Sequence, residues 1–313
     1  MNFENTLKLD TGISFSGVKE KAEPKRIDWI DYAKGIGIIL VVFGHVVRGL
    51  DTAGFTSPYF DISDKFIYAF HMPLFFLLSG IFAEKWAKKS FKSAITNKLM
   101  TILYPYFLWS LIQGGFNILL SSVTSRSMGV ADLARIIYEP IGQFWFLYSL
   151  FIIFLVYFGF RRIFDLQGVF FISIILFLVS PFVNFWLLPK LFSMFVYFVL
   201  GAVLALKFNI IQNINYLVKP VGLIFVIATF CILNLLFVVD YSSFSYFANV
   251  IITFLLALVG ILFCLQIAVI LDKCNSFTFI KLLGQLSLVI FVAHILGTED
   301  QELSFQSYFI LRV

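Results

Sequence analysis

The chain has 313 residues, 60% of them hydrophobic and only 13% charged, with a formal net charge of +5 and a mean hydropathy of +0.95. That balance excludes a soluble domain of this length, and continuously apolar runs exclude a barrel whose strands alternate apolar with polar residues. What remains is an all-α, polytopic helical membrane protein, because in lipid every spanning segment has to satisfy its own backbone.

Residues 1–28 read as a polar cytoplasmic tail that ends in Lys21, Lys25 and Arg26. The tail has no apolar h-region, so the first span is expected to act as an uncleaved anchor. Nine spans are predicted, at about 34–50, 66–83, 99–120, 144–160, 168–188, 191–206, 221–239, 247–271 and 282–296. A polar loop over 51–65 separates the first two spans, and little more than Pro189-Lys190 separates the fifth from the sixth. Lys and Arg collect in the N-terminal tail and in the loops after spans 2, 4, 6 and 8. By the positive-inside rule the N-terminus is then cytoplasmic and residue 313 lies on the far side. The positive charge therefore speaks to topology, and no nucleic-acid partner is expected. A single membrane domain over 29–297 fills the chain; no internal repeat, Walker motif, Rossmann glycine pattern or soluble catalytic domain is present.

Chemistry concentrates in the first span. Asp31, Lys34, Ile38, Val41, His45 and Arg48 follow the spacing of one helical stripe. Lys34 and His45 lie about 16 Å apart along that helix, roughly half the depth of a bilayer core. Only three His occur, His45, His71 and His294, each inside or at the edge of a span. Intramembrane ionisable groups are costly and face a cavity or a partner, so each is either a functional base or an imidazole bonding a neighbouring helix. The predicted topology brings all three to a similar depth, where they could line one pocket. Ser287, seven residues before His294, shares its stripe about 10 Å away. Asp31 is placed to hold Lys34 by an ion pair. Gly35, Gly37 and Gly44 permit close helix approach, and Trp109, Trp145 and Trp186 fit an interfacial belt. Cys231, Cys264 and Cys274 are odd in number, lack metal-ligand spacing and read as apolar filler, so no metal site is expected.

Several stretches together carry a resemblance. Lys34, ten intervening residues and His45 resemble the first membrane helix of the acyltransferase 3 family, in its branch of polysaccharide and fucose O-acetylases. Residues 70–80, Phe-His-Met-Pro-Leu-Phe-Phe-Leu-Leu-Ser-Gly, are similar to that family's second signature. Tyr104-Pro-Tyr-Phe-Leu-Trp109, Phe144-Trp-Phe-Leu147 and the series Gly284, Ser287, His294 resemble later elements, in the same order. Two departures stand out: Lys34 takes the place of the usual Arg, and Lys98 and Thr101 take the place of an Arg-x-x-Arg pair.

The resemblance implies an integral O-acetyltransferase of the bacterial inner membrane. Its donor substrate would be acetyl-CoA, with no bound cofactor, and its acceptor a sugar hydroxyl of a surface polysaccharide or its lipid-linked precursor. In that reading His45 is the general base, or carries the acetyl group transiently, and His71 is a second base or orients the acceptor. Lys34 and Lys98 would meet the donor's phosphates, although Lys98 and Lys92 serve equally as topology signals. Asp31, Ser287 and His294 are supporting residues. Family members usually carry a tenth span where residues 298–313 are polar, so a truncated C-terminus is expected. The alternatives are a transporter or flippase for a lipid-linked sugar, and an inactive truncated acyltransferase.

Overall fold

A computed structural model describes residues 26–55, 57–119, 129–238 and 246–294, and among these the regular structure is entirely helical. Helix α1 (Asp28–Thr52) carries Asp28 and Asp31 in its first turn, where acids complement the positive end of the helix dipole. Helix α2 (Pro58–Gly80) starts with Ser57 as its N-cap and Pro58 in its first turn, a combination that satisfies one orphan N–H and presets the helical φ. The loop expected over 51–65 is therefore much shorter, and Asp64 and Lys65 belong to α2.

Two short helices, α3 (Ala83–Ala87) and α4 (Phe91–Lys98), lead into α5 (Tyr104–Leu119) through a π-helical turn, Leu99–Leu103. Pro105 explains the widening, since it has no N–H to give the preceding turn and its ring crowds that turn's carbonyl. After α6 (Val130–Arg135) and the 3-10 turn Gly142–Phe144 come α7 (Trp145–Ile163) and α8 (Leu166–Val179). A 3-10 turn, Ser180–Phe182, ends α8 earlier than expected, and Pro189-Lys190 lie inside the first turn of α9 (Leu188–Lys207), not between two spans. The chain continues through α10 (Ile210–Asn213), α11 (Pro220–Val238), α12 (Tyr246–Cys274) and α13 (Thr278–Gln285). After a break at Leu286, helix resumes as α14 over 287–294. The tail over 298–313 and most of the N-terminal tail lie outside the described residues.

Each expected span overlaps helix among the described residues, although 183–187 of the fifth and Leu286 of the ninth are not helical, and four described helices are long and apolar enough to cross a bilayer: those over 28–52, 142–163, 188–207 and 248–274. A fifth arises if the pair over 210–216 and 220–232, bent by 86°, is counted as one. Among the others, α2 is long enough but holds Asp64, Lys65, His71 and Pro73. Helices α5 and α8 have only 16 and 14 residues.

Glycines set the tightest crossings. A Cβ on Gly35 would sit 1.9 Å from the Ile280 carbonyl oxygen, and one on Gly284 would sit 1.7 Å from that of Asp31, so α1 and α13 touch backbone to backbone. Gly80 and Gly201 do the same for α2 and α9, at 1.9 Å and 2.1 Å from backbone oxygens. With no hydrophobic drive between helices in lipid, such close approach supplies the dispersion and the specificity of packing. Polar stitches reinforce the α1–α13 seam: Lys281 pairs with Asp28 at 2.6 Å and the Gln285 amide donates to Asp31 at 3.3 Å, while just before α13 the Ser276 carbonyl accepts from the Tyr32 hydroxyl at 3.0 Å.

The 41 Phe of the chain are partly explained by edge-to-face contacts between helices. Phe154–Phe198 at 4.8 Å and Phe76–Phe146 at 5.1 Å are examples, each adding directional attraction to buried area. One buried polar clamp joins α3 to α7. Glu84 accepts from the Tyr157 hydroxyl at 2.5 Å and from Arg161 Nε at 2.6 Å, so Arg161 has a structural partner as well as a place in the charge pattern.

Candidate active site

Helix α1 presents Val41, His45 and Arg48 on one face, and α2 presents Asp64, Tyr68 and His71 on another, both at the i, i+4, i+7 spacing that aligns side chains on a helix. Five of these six residues line a cavity of about 480 Å³, closed further by Met72, Gln113, Gly142, Gln143, Trp145, Lys190 and Phe291. The sixth, Asp64, grips Arg48 in a two-point ion pair, Nε–Oδ1 at 2.5 Å and Nη2–Oδ2 at 3.0 Å. That pair fixes the guanidinium 3.2 Å from the Tyr68 ring centroid, a cation–π contact that keeps the charge at the cavity wall.

The three imidazoles differ in what holds them. His71 is buried, with Nδ1 at 2.7 Å from the Ile67 carbonyl oxygen, and its ring meets Tyr68 edge to face at 4.7 Å. A carbonyl can only accept, so Nδ1 carries the proton and Nε2 keeps its lone pair. His294 is arranged alike, with Nδ1 at 2.8 Å from the Phe291 carbonyl oxygen. His45 has no hydrogen-bond partner among the described residues, and its ring centroid lies 5.0 Å from that of His294. The structure thus brings all three His together: two line the cavity, and the third stands behind His45.

Elsewhere in the cavity wall, the Gln143 amide donates to Gln113 at 2.8 Å, both side chains being buried. Lys190 lies 4.8 Å from the centroid of the Trp145 ring. No Asp or Glu is among the described lining residues. The cavity can therefore accept protons through imidazole nitrogens and contact hydroxyls or carbonyls through amides and cations. It offers no carboxylate base among the described residues. Among the described residues no group of three His, Cys, Asp or Glu is placed to hold a metal ion.

The two lysines expected to meet the donor do not line this cavity. Lys34 is half-buried and makes no hydrogen bond or ion pair among the described residues; Asp31 instead accepts from Gln285, which corrects the expected Asp31–Lys34 pair. Lys98 is held between aromatic faces, 3.7 Å from the Phe154 centroid and 4.6 Å from that of Trp86. Neither lines the cavity, nor does Ser287, the first residue of the helix after the Leu286 break. Sequence reasoning missed Tyr68, Gln113, Gln143 and Lys190, and it assigned Trp145 to an interfacial belt. The signal for the two Gln was present: each is an amide within or next to an apolar run, where an unmet polar group is costly.

A family model described as an acyltransferase domain matches residues 27–299. The chain belongs to the acyltransferase 3 family, and its apolar helices make it a multi-pass membrane protein of that family. Two curated relatives resemble part of it. Nodulation protein NolL of Mesorhizobium japonicum is 36% identical over 131 residues, 40% of this chain and 33% of that protein. Nodulation protein NolL of Sinorhizobium fredii is 36% identical over 125 residues, 38% of this chain and 32% of that protein. The chain thus spans about a third of the length of the curated relatives it matches. No solved structure matches it.

Proposed function

We propose that this protein is an integral membrane O-acetyltransferase that moves acetyl from acetyl-CoA to a sugar hydroxyl of a surface polysaccharide or its lipid-linked precursor. The observation that carries the reading is the cavity of about 480 Å³ with His45 and His71 in its wall. An alcohol is a poor nucleophile near neutral pH and needs a base, and neutral imidazole suits that task. His45 removes the hydroxyl proton as oxygen attacks the thioester carbonyl. The new C–O bond forms, the C–S bond breaks, and the proton passes from His45 to the departing CoA thiolate.

His71, with its Nε2 lone pair available, accepts a hydrogen bond from a neighbouring hydroxyl and orients the acceptor. The Gln113–Gln143 pair and the face of Trp145 suit a sugar, which offers hydroxyls on its edge and C–H groups on its face. Arg48 and Lys190 supply positive charge where the carbonyl oxygen becomes anionic. Lys34 and Lys98 meet the donor's phosphates on the cytoplasmic side. Lys34 lies about 16 Å along α1 from His45, a gap for the long thiol arm of CoA to bridge.

Mass spectrometry of surface glycans from cells with and without the protein tests the reading. Transfer adds one acetyl mass to the repeating unit at unchanged polymer yield. A change in polymer amount with no change in repeat mass supports transport of a lipid-linked sugar instead.

A further inference from the structure

His294 has an unmet need. Its Nδ1 proton is committed to the Phe291 carbonyl, and its Nε2 is fully buried with no partner among the described residues. A buried acceptor left empty is costly. The ring centroid 5.0 Å away belongs to His45, which itself lacks a hydrogen-bond partner among the described residues. His45 borders the cavity and His294 does not, so His45 lies between the reaction space and the empty acceptor.

We propose that His294 is the positioning residue for His45: its buried Nε2 accepts the N–H of one His45 ring nitrogen and so turns the lone pair of the other toward the cavity. The inference rests on the reading of His45 as the base. No hydrogen bond joins the rings as they stand, but a centroid separation of 5.0 Å is compatible with two imidazoles joined by an N–H···N bond of ~3 Å. Catalytic hydrogen bonds commonly tighten when substrate arrives. The role is that of the third member of a nucleophile–base–orienter set, filled here by a neutral imidazole at a cavity with no carboxylate among its described lining residues. When His45 takes the hydroxyl proton, its positive charge is shared through that bond with an acceptor already fixed in tautomer by Phe291. No proton needs to leave His294.

The backbone prepares this contact. Gly35 and Gly284 bring α1 and α13 together, and α14 continues from that seam past the Leu286 break to His294. Phe291, one turn earlier, lies in the cavity wall, so the same helix closes the cavity and backs the base.

The test compares His294→Phe, His294→Gln and His294→Asn with His45→Ala, all in the full chain in membranes, assaying acetyl transfer and fitting kcat and KM separately. The Gln amide reaches the position of Nε2, whereas the shorter Asn amide reaches only that of Nδ1. Expected are a fall in kcat of roughly 10²-fold for His294→Phe with both KM values unchanged, recovery of about tenfold in His294→Gln, and none in His294→Asn. Wild-type kcat in His294→Phe, or equal or better recovery in His294→Asn, overturns the positioning role, since the bond to Phe291 alone would then be what matters. The Gln–Asn comparison decides the matter even if His294→Phe fails to fold. Full activity in His45→Ala removes the reading of His45 itself, an outcome separate from failure of the His294 variants alone.

Discussion

Replacing Gly35 by Ala adds one methyl group at the tightest point of the α1–α13 seam. The new Cβ would lie 1.9 Å from the Ile280 carbonyl oxygen and 2.8 Å from its carbonyl carbon, whereas ordinary contact begins near 3.4 Å. The obstacle is backbone, so no rotamer change relieves it, and the helices must part by roughly 1.5 Å, the difference between those separations. Overpacking of this kind costs about 1–3 kcal/mol, and separation also stretches the Gln285–Asp31 bond, already 3.3 Å long. Gly35→Ala should therefore lower the melting temperature of the detergent-extracted protein and reduce acyl transfer, because the helix carrying His294 moves with the seam. Gly159→Ala is the control. A Cβ there meets nothing within 4 Å, and Ala in a helix interior is favoured over Gly by roughly 0.5–1 kcal/mol. If Gly35→Ala melts and transfers like Gly159→Ala, the close packing of α1 on α13 is wrong.

Three further outcomes are expected. Lys34→Arg should keep or raise transfer activity, while Lys34→Gln should lose most of it through weaker donor binding; equal activity in Lys34→Gln and the unaltered protein would assign this residue to topology alone. Glu84→Gln should destabilise the protein by about 2–3 kcal/mol, because Arg161 loses the carboxylate facing it in a partly buried site, and thermal melting reads the loss; an unchanged midpoint contradicts the clamp. Reporter fusions should place Lys89 and Arg162 in the cytoplasm and a fusion after Asp61 outside it, in line with the charge asymmetry of the loops; a periplasmic signal at Lys89 reverses the map.

The helical class was legible because continuous apolar runs leave no other way to satisfy the backbone. Helix ends were less so. The Ser57-Pro58 start of α2 is a local capping signal, outweighed in the hydropathy reading by the charged residues just after it, and that reading left Asp64 in a loop. Once in helix, Asp64 faces Arg48 and orders the cavity wall. The stripe of α1 and the shared place of the three His followed from helical spacing and from counting spans. Helix rotation did not, because it is set by pairs such as Gly35–Ile280 and Gly284–Asp31 that sequence spacing cannot register across 240 or more residues. For the same reason Gln113 and Gln143 stood out only as isolated amides, and their mutual hydrogen bond is a product of tertiary packing.

The central claim, that His45 takes the acceptor proton, is tested most directly by transfer of labelled acetyl from acetyl-CoA to glycan in membranes containing His45→Gln. Expression and donor binding are measured alongside. The account predicts donor binding within a few-fold of the unaltered protein and a fall in transfer of roughly 10²–10⁴-fold, the range supplied by a positioned base. Transfer at the unaltered rate with His45→Gln present at normal level would contradict it.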